Sequence, residues 1–170
     1  MTTAVIDCSF EDDAEAILGI LNEAIANSTA LSDDKPRSLQ DVAAWFEARH
    51  KSNFPVIGVE NDTGKLLAFA SYGMCRTWPA YQYTLLNIRC MCTQHIMGRI
   101  WDIYIHILMR ALIAAAEQNN MHAMINAIDV LNSYSISLHE RLGFKCVRIL
   151  LQVSFKFQLL LKTPAHPVET

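Results

Sequence analysis

The chain has 170 residues, of which 52% are hydrophobic and 18% charged, and its formal net charge is −3. That length builds one domain with a real core, and the composition is that of a globular chain rather than a disordered one. No basic cluster accompanies the charge, which argues against a nucleic-acid partner.

The opening "MTTAVIDCSFEDDAEAI" has no basic segment followed by an apolar one, so it does not read as a secretory leader. Its five cysteines, Cys8, Cys75, Cys90, Cys92 and Cys146, are odd in number and scattered, as expected of reduced thiols in a cytoplasmic protein. Cys90, Cys92 and His95 have strand-like spacing but no fourth ligand at a zinc spacing, so no metal is expected.

Residues 4–8 read as a first strand. Residues 13–26 carry Ala14, Ile17, Leu18, Leu21, Ala24 and Ile25 at helical spacing. "SDDKPRS" breaks the chain. A second helix starts at Ser38, with Asp41 three residues on in a capping-box pattern, and runs to about His50. Residues 54–60 and 65–72 are strands joined by the turn "NDTG".

An aromatic loop, "GMCRTWPAYQY", leads to an apolar run at 84–92. The helix from Arg99 to about Asn119 is strongly apolar, but Asp102, His106 and Arg110 recur four apart on one face. That stripe suits a soluble helix and not a membrane span, so no membrane partner is expected. "MHAMINAID" is a strand with apolar residues on both faces, which places it centrally in a sheet. Asn132 or Ser133 caps a short helix that stops at Gly143, the left-handed residue after a helix end. "FKCVRIL" and "VSFKFQLLL" close the fold, and residues 163–170 read as a frayed tail. The order β-α-α-β-β-β-α-β-α-β-β implies one mixed α/β domain over residues 1–162.

Four segments, "ILNEAIANSTA" (20–30), "PRSLQDVAAWFEAR" (36–49), "FPVIGVENDTGKLLAFASYGMCRTWPAYQYT" (54–84) and "MHAMINAIDVLNSYSISLHERLGF" (121–144), carry a family pattern. With the specific signature N-x-x-S-I-x-L-H-E-x-L-G-F, they resemble the GNAT superfamily of N-acetyltransferases, in its phosphinothricin acetyltransferase branch. The resemblance implies a mixed, mainly antiparallel sheet of six or seven strands with helices on both faces. It implies transfer of acetyl from acetyl-CoA to the amine of a small amino acid analogue such as phosphinothricin or methionine sulfoximine. No metal takes part, and the resemblance leaves room for a homodimer.

Such an amine arrives as an ammonium and must lose a proton before it attacks the thioester. A general base is therefore required, together with donors for the developing oxyanion. By resemblance, Asn132 bonds the pantetheine arm of CoA, with Ser135 beside it. His139 stands near the acceptor as the remaining proton-transfer candidate, since imidazole titrates near neutrality. Arg76, Thr77 and Trp78 belong to the loop that contacts the acceptor, where Arg76 would grip a carboxylate. Gly98 and Arg99 are what remains of a glycine-rich pyrophosphate loop opening a helix.

The middle of the chain departs from this pattern, over about residues 85–110. The family places Val-Glu-His-Ser-Val-Tyr-Val-His after the position of Thr84, and the glutamate is its base. Here Leu86 occupies that place, and a side chain of hydrocarbon accepts no proton. Near the end, "SFKF" passes directly to "QLLL" without the segment the family puts between them. Codons can be chosen for residues 85–98 that, read one base earlier, spell Val-Glu-His-Ser-Val-Tyr-Val-His-Pro-Ala-His-His-Gly. A shifted reading frame is thus one origin of the departure, and residue-by-residue divergence is the other. The coding DNA distinguishes them. A catalytically impaired GNAT-fold binding module is the competing functional reading.

Overall fold

The computed structural model describes residues 3–27, 35–74, 85–92, 99–121, 123–151 and 156–162. In chain order these form β1 (Ala4–Asp7), α1 (Phe10–Asn27), α2 (Leu39–Lys51), β2 (Val56–Glu60), β3 (Leu66–Met74), β4 (Leu85–Cys92), α3 (Arg99–Gln118), β5 (Ala123–Asp129), α4 (Ser133–Arg141), β6 (Lys145–Leu151) and β7 (Lys156–Lys162). Element types follow the sequence expectation throughout. Hydrogen-bonded strands run in the order β1-β2-β3-β4-β5-β7-β6. The β4–β5 pair is parallel, while the β1–β2, β2–β3, β5–β7 and β6–β7 pairs are antiparallel. The fold is therefore a mixed, mainly antiparallel α/β fold.

By compactness the chain divides into two units, Met1–Tyr72 with Arg89–Leu112, and Gly73–Ile88 with Ile113–Thr170. In the first, Ala14, Ile17, Ile20 and Leu21 of α1 pack with Val42 and Phe46 of α2 on Val56, Leu66 and Phe69. Each large apolar side chain so buried stabilises the fold by about 1.5–3 kcal/mol. Trp45 meets Phe46 edge-on at 5.1 Å and Phe69 at 6.0 Å. The capping box holds α2 as its sequence implies: Asp41 N–H donates to Ser38 Oγ at 3.2 Å, and Ser38 N–H donates to Asp41 Oδ2 at 2.7 Å. Asn22 on α1 ties down the approach to α2, accepting from the Arg37 N–H at 2.7 Å and donating to its carbonyl at 3.0 Å. In the hairpin turn, Asn61 Oδ1 accepts from the N–H groups of Thr63 and Lys65, and Gly64 takes φ +75°.

In the second unit β5 is an interior strand, between parallel β4 and antiparallel β7. Met124 and Ile128, on one face, are buried. On the other, Ala123 and Ile125 are half-buried and Ala127 is exposed, so the strand is interior in the sheet without the two buried faces its apolar pattern predicts. Asn120, at φ 54°, ends α3 where "QNN" breaks the apolar spacing. Gly143 follows α4 at φ +87°, and a Cβ there would also stand 3.1 Å from Lys162 Nζ. That ammonium donates to the carbonyl of Leu142, a favourable charge at the carbonyl end of a helix.

Candidate functional site

Strands β4 and β5 pair at Leu85↔Ala123, Leu86↔Met124 and Asn87↔Ile125. The pairing goes no further, although β5 stays bonded to β7 as far as Asp129. Among the described residues, then, β5 from Asn126 to Asp129 is bonded on one side only. A strand edge opened in this way presents backbone N–H and C=O groups, and an extended amide-bearing ligand can add to it as a strand would.

The chain leaves that edge through a tight turn and enters α4. Asn132 N–H donates to the Asp129 carbonyl at 2.9 Å, and Leu131 N–H donates to Asp129 Oδ1 at 3.0 Å. Asn132 is the N-cap: its Oδ1 accepts from the Ser135 N–H at 3.0 Å. An asparagine in that position is both a cap and an exposed amide, since its NH₂ is left to donate elsewhere. Ser135 enters this arrangement through its backbone, giving its N–H to Asn132 and its carbonyl to His139.

His139 is only 3% exposed and stands edge-on to Phe144, with ring centroids 5.1 Å apart. Its Nδ1 lies 2.7 Å from the Ser135 carbonyl oxygen. A carbonyl only accepts, so Nδ1 carries the hydrogen and Nε2 of the neutral ring is an acceptor. Asn126 Nδ2 meets that Nε2 at 2.8 Å. Burial pushes the imidazole below its ordinary pKa of 6.5, against the opposing effect of the Ser135 bond. Sequence reasoning offered His139 as a proton-transfer group; the fold gives it a neutral ring with a partner on each nitrogen.

Asn126 was not singled out by the sequence. It sits on the face of β5 that also carries the buried Met124 and Ile128, opposite Leu160 of β7. A polar residue inside the apolar run "MINAI" was the available signal. Leu86, which takes the place of the expected base, lies one pair before β4 and β5 part. Arg99 is the first residue of α3. Arg76, Thr77, Trp78, Gly98 and His95 lie outside the described residues. Among the described residues, no three His, Cys, Asp or Glu side chains group as a metal site would require. Among them too, no helix is long and apolar enough to cross a membrane.

No family model matches the chain. Individual proteins do. It is 33% identical over 145 residues, 85% of its length and 82% of the relative's, to an L-methionine sulfoximine/L-methionine sulfone acetyltransferase of Pseudomonas paraeruginosa. A putative acetyltransferase from Acinetobacter baylyi superposes with a TM-score of 0.89 at 36% identity, covering 98% of this chain and 96% of that one. The fold also matches that of a putative acetyltransferase from Salmonella typhimurium solved with its cofactor acetyl-CoA, at a TM-score of 0.89 and 23% identity, over 100% and 98% of the two chains.

Proposed function

Since the chain belongs to the GNAT superfamily of N-acetyltransferases, we propose that it moves acetyl from acetyl-CoA to the amine of a small amino acid analogue of the methionine sulfoximine class. The observation that carries the acceptor class is the 33% identity, spread over 85% of the chain, to an enzyme named for that substrate. The cytoplasm is the proposed location.

The site residues fit the cofactor in part. The edge of β5 from Asn126 onward would suit the amides of a pantetheine arm, and the exposed Asn132 NH₂, which its capping bond through Oδ1 does not use, is the proposed donor to that arm. Arg99 opens α3, whose N-terminal amides favour an anion such as a pyrophosphate. Bound acetyl-CoA supplies the activated acyl group. Gly98 is the one glycine among residues 93–98, where the resemblance implies a glycine-rich loop that lets backbone donors approach the phosphates closely. Each charge-assisted bond lost is worth about 1.5–3 kcal/mol, and the expected CoA binding is correspondingly weak. Arg76 and Trp78 are the proposed grip on the acceptor's carboxylate and side chain.

Thermal unfolding with and without millimolar CoA tests the cofactor assignment, because a ligand held by the native state alone raises the melting temperature. A panel of amino acid analogues, read by mass spectrometry for acetylated product, tests the acceptor. Leu86 favours a second reading, a GNAT-fold module that binds without catalysing. Stabilisation by CoA with no acetylated product from any amine would support it.

A further inference from the structure

Strand β5 carries one polar side chain, Asn126, on the face that buries Met124 and Ile128. Burying an amide without a partner is costly, and removing one partner of a buried pair leaves the other to bear that cost. Asn126 meets His139 Nε2 at 2.8 Å, across 13 residues of sequence. The far nitrogen of the same ring reaches the Ser135 carbonyl at 2.7 Å. Ser135 is the residue whose N–H is capped by Asn132. An unbroken line of hydrogen bonds therefore runs from the interior of β5, through the imidazole, to the first turn of α4 and its cap.

We propose that Asn126 and His139 form a positioning pair, which sets the first turn of α4 and so aims the Asn132 amide at the pantetheine arm of CoA. The proposal rests on the acetyl-CoA reading above. It gives His139 work that needs no proton transfer. The ring is neutral, nearly fully buried and engaged at both nitrogens, whereas a proton carrier needs one nitrogen open to the reacting group. The pair also accounts for a half-buried asparagine between the buried Met124 and Ile128, a place that sheet propensity does not favour.

The test uses Asn126→Leu, His139→Phe, His139→Asn and the double variant Asn126→Leu/His139→Phe, with folding checked by circular dichroism. CoA affinity is measured by calorimetry, and backbone amide exchange is followed in the first turn of α4. Asn126→Leu and His139→Phe are each expected to weaken CoA binding about tenfold and to speed exchange at that turn, since each breaks the line. The double variant is expected to lose little more than either single one, as coupled residues do. His139→Asn, whose amide reaches the Ser135 carbonyl from the Nδ1 position but leaves Asn126 without its Nε2 partner and takes up no proton, is expected to lose CoA affinity as Asn126→Leu does. The pH profile of kcat is expected to keep its shape in Asn126→Leu.

Native CoA affinity in Asn126→Leu with unchanged amide exchange would overturn the pair. So would equal, hundredfold losses of kcat in His139→Asn and His139→Phe with native CoA affinity, the pattern of a proton carrier. Absence of CoA binding by the unmodified chain would instead overturn the cofactor reading, and the amide exchange rates would still judge the pair.

Discussion

Cys8 and Cys146 show how far one side-chain type can diverge within a chain. Burial, reinforced by the charges of Asp13, Glu60 and Asp7, pushes the Cys8 thiol up to about 12. At pH 8 that leaves roughly one thiolate in ten thousand. Cys146 is exposed. A brief alkylation followed by peptide mass spectrometry should label Cys146 fully and leave Cys8 unmodified; equal labelling would contradict the burial. His139 carries the opposite kind of shift. Its folded pKa lies below the ordinary 6.5, so the unfolded chain binds the proton more readily. The neutral ring therefore costs no stability above about pH 6.5. Stability is lost as the pH falls below that value toward the folded pKa, and the loss levels off beneath it. Melting temperatures between pH 7.5 and 5 should fall more steeply for the native chain than for His139→Phe. Parallel curves would mean that His139 does not take part. The sequence marked His139 through its motif, but not the burial that gives it this behaviour. Asn126 escaped notice because its partner is brought to it only when α4 folds back on β5.

At the scale of elements, local signals were read well because local chemistry writes them. Ser38 with Asp41, Asn120 after α3 and Gly143 after α4 are helix ends that a few neighbouring residues determine. Boundaries moved by a residue or more: β1 ends at Asp7 rather than Cys8, and β3 runs on to Met74. What the sequence could not convey is that β4 and β5 part after Asn87 and Ile125, since register between distant strands is set by tertiary packing. The N-cap of α4 lies where that parting and the helix meet, and its two roles can be separated. Asn132→Ala removes cap and amide together, and should cost about 1 kcal/mol of stability as well as CoA affinity. Asn132→Asp keeps a capping oxygen and loses the NH₂ donor. Its melting temperature should stay near native while CoA binding weakens by about tenfold or more, the loss of one bond to a donor together with repulsion of an anionic ligand. Native CoA affinity in Asn132→Asp would exclude the amide from the site.

For the whole molecule, the tension lies between a family fold retained along most of the chain and a central segment that departs from the family pattern. The acetyltransferase relatives match over 85% of the length, yet Leu86 stands where the resemblance requires a proton acceptor. A positioned general base contributes 10²–10⁴-fold of rate, about 3–5 kcal/mol of barrier. Without one, the ammonium would have to give its proton to water, and slow transfer is the expected outcome. The most direct measurement is the steady-state release of CoA thiol from acetyl-CoA with methionine sulfoximine as acceptor, for the native chain and for Leu86→Glu. The expected result is a native kcat below about 0.1 s⁻¹, two orders under a typical enzyme, and a rise of at least about tenfold in Leu86→Glu. A native chain turning over near 10 s⁻¹, a typical enzyme rate, with Leu86→Glu no faster, would show that the base lies elsewhere and contradict the account.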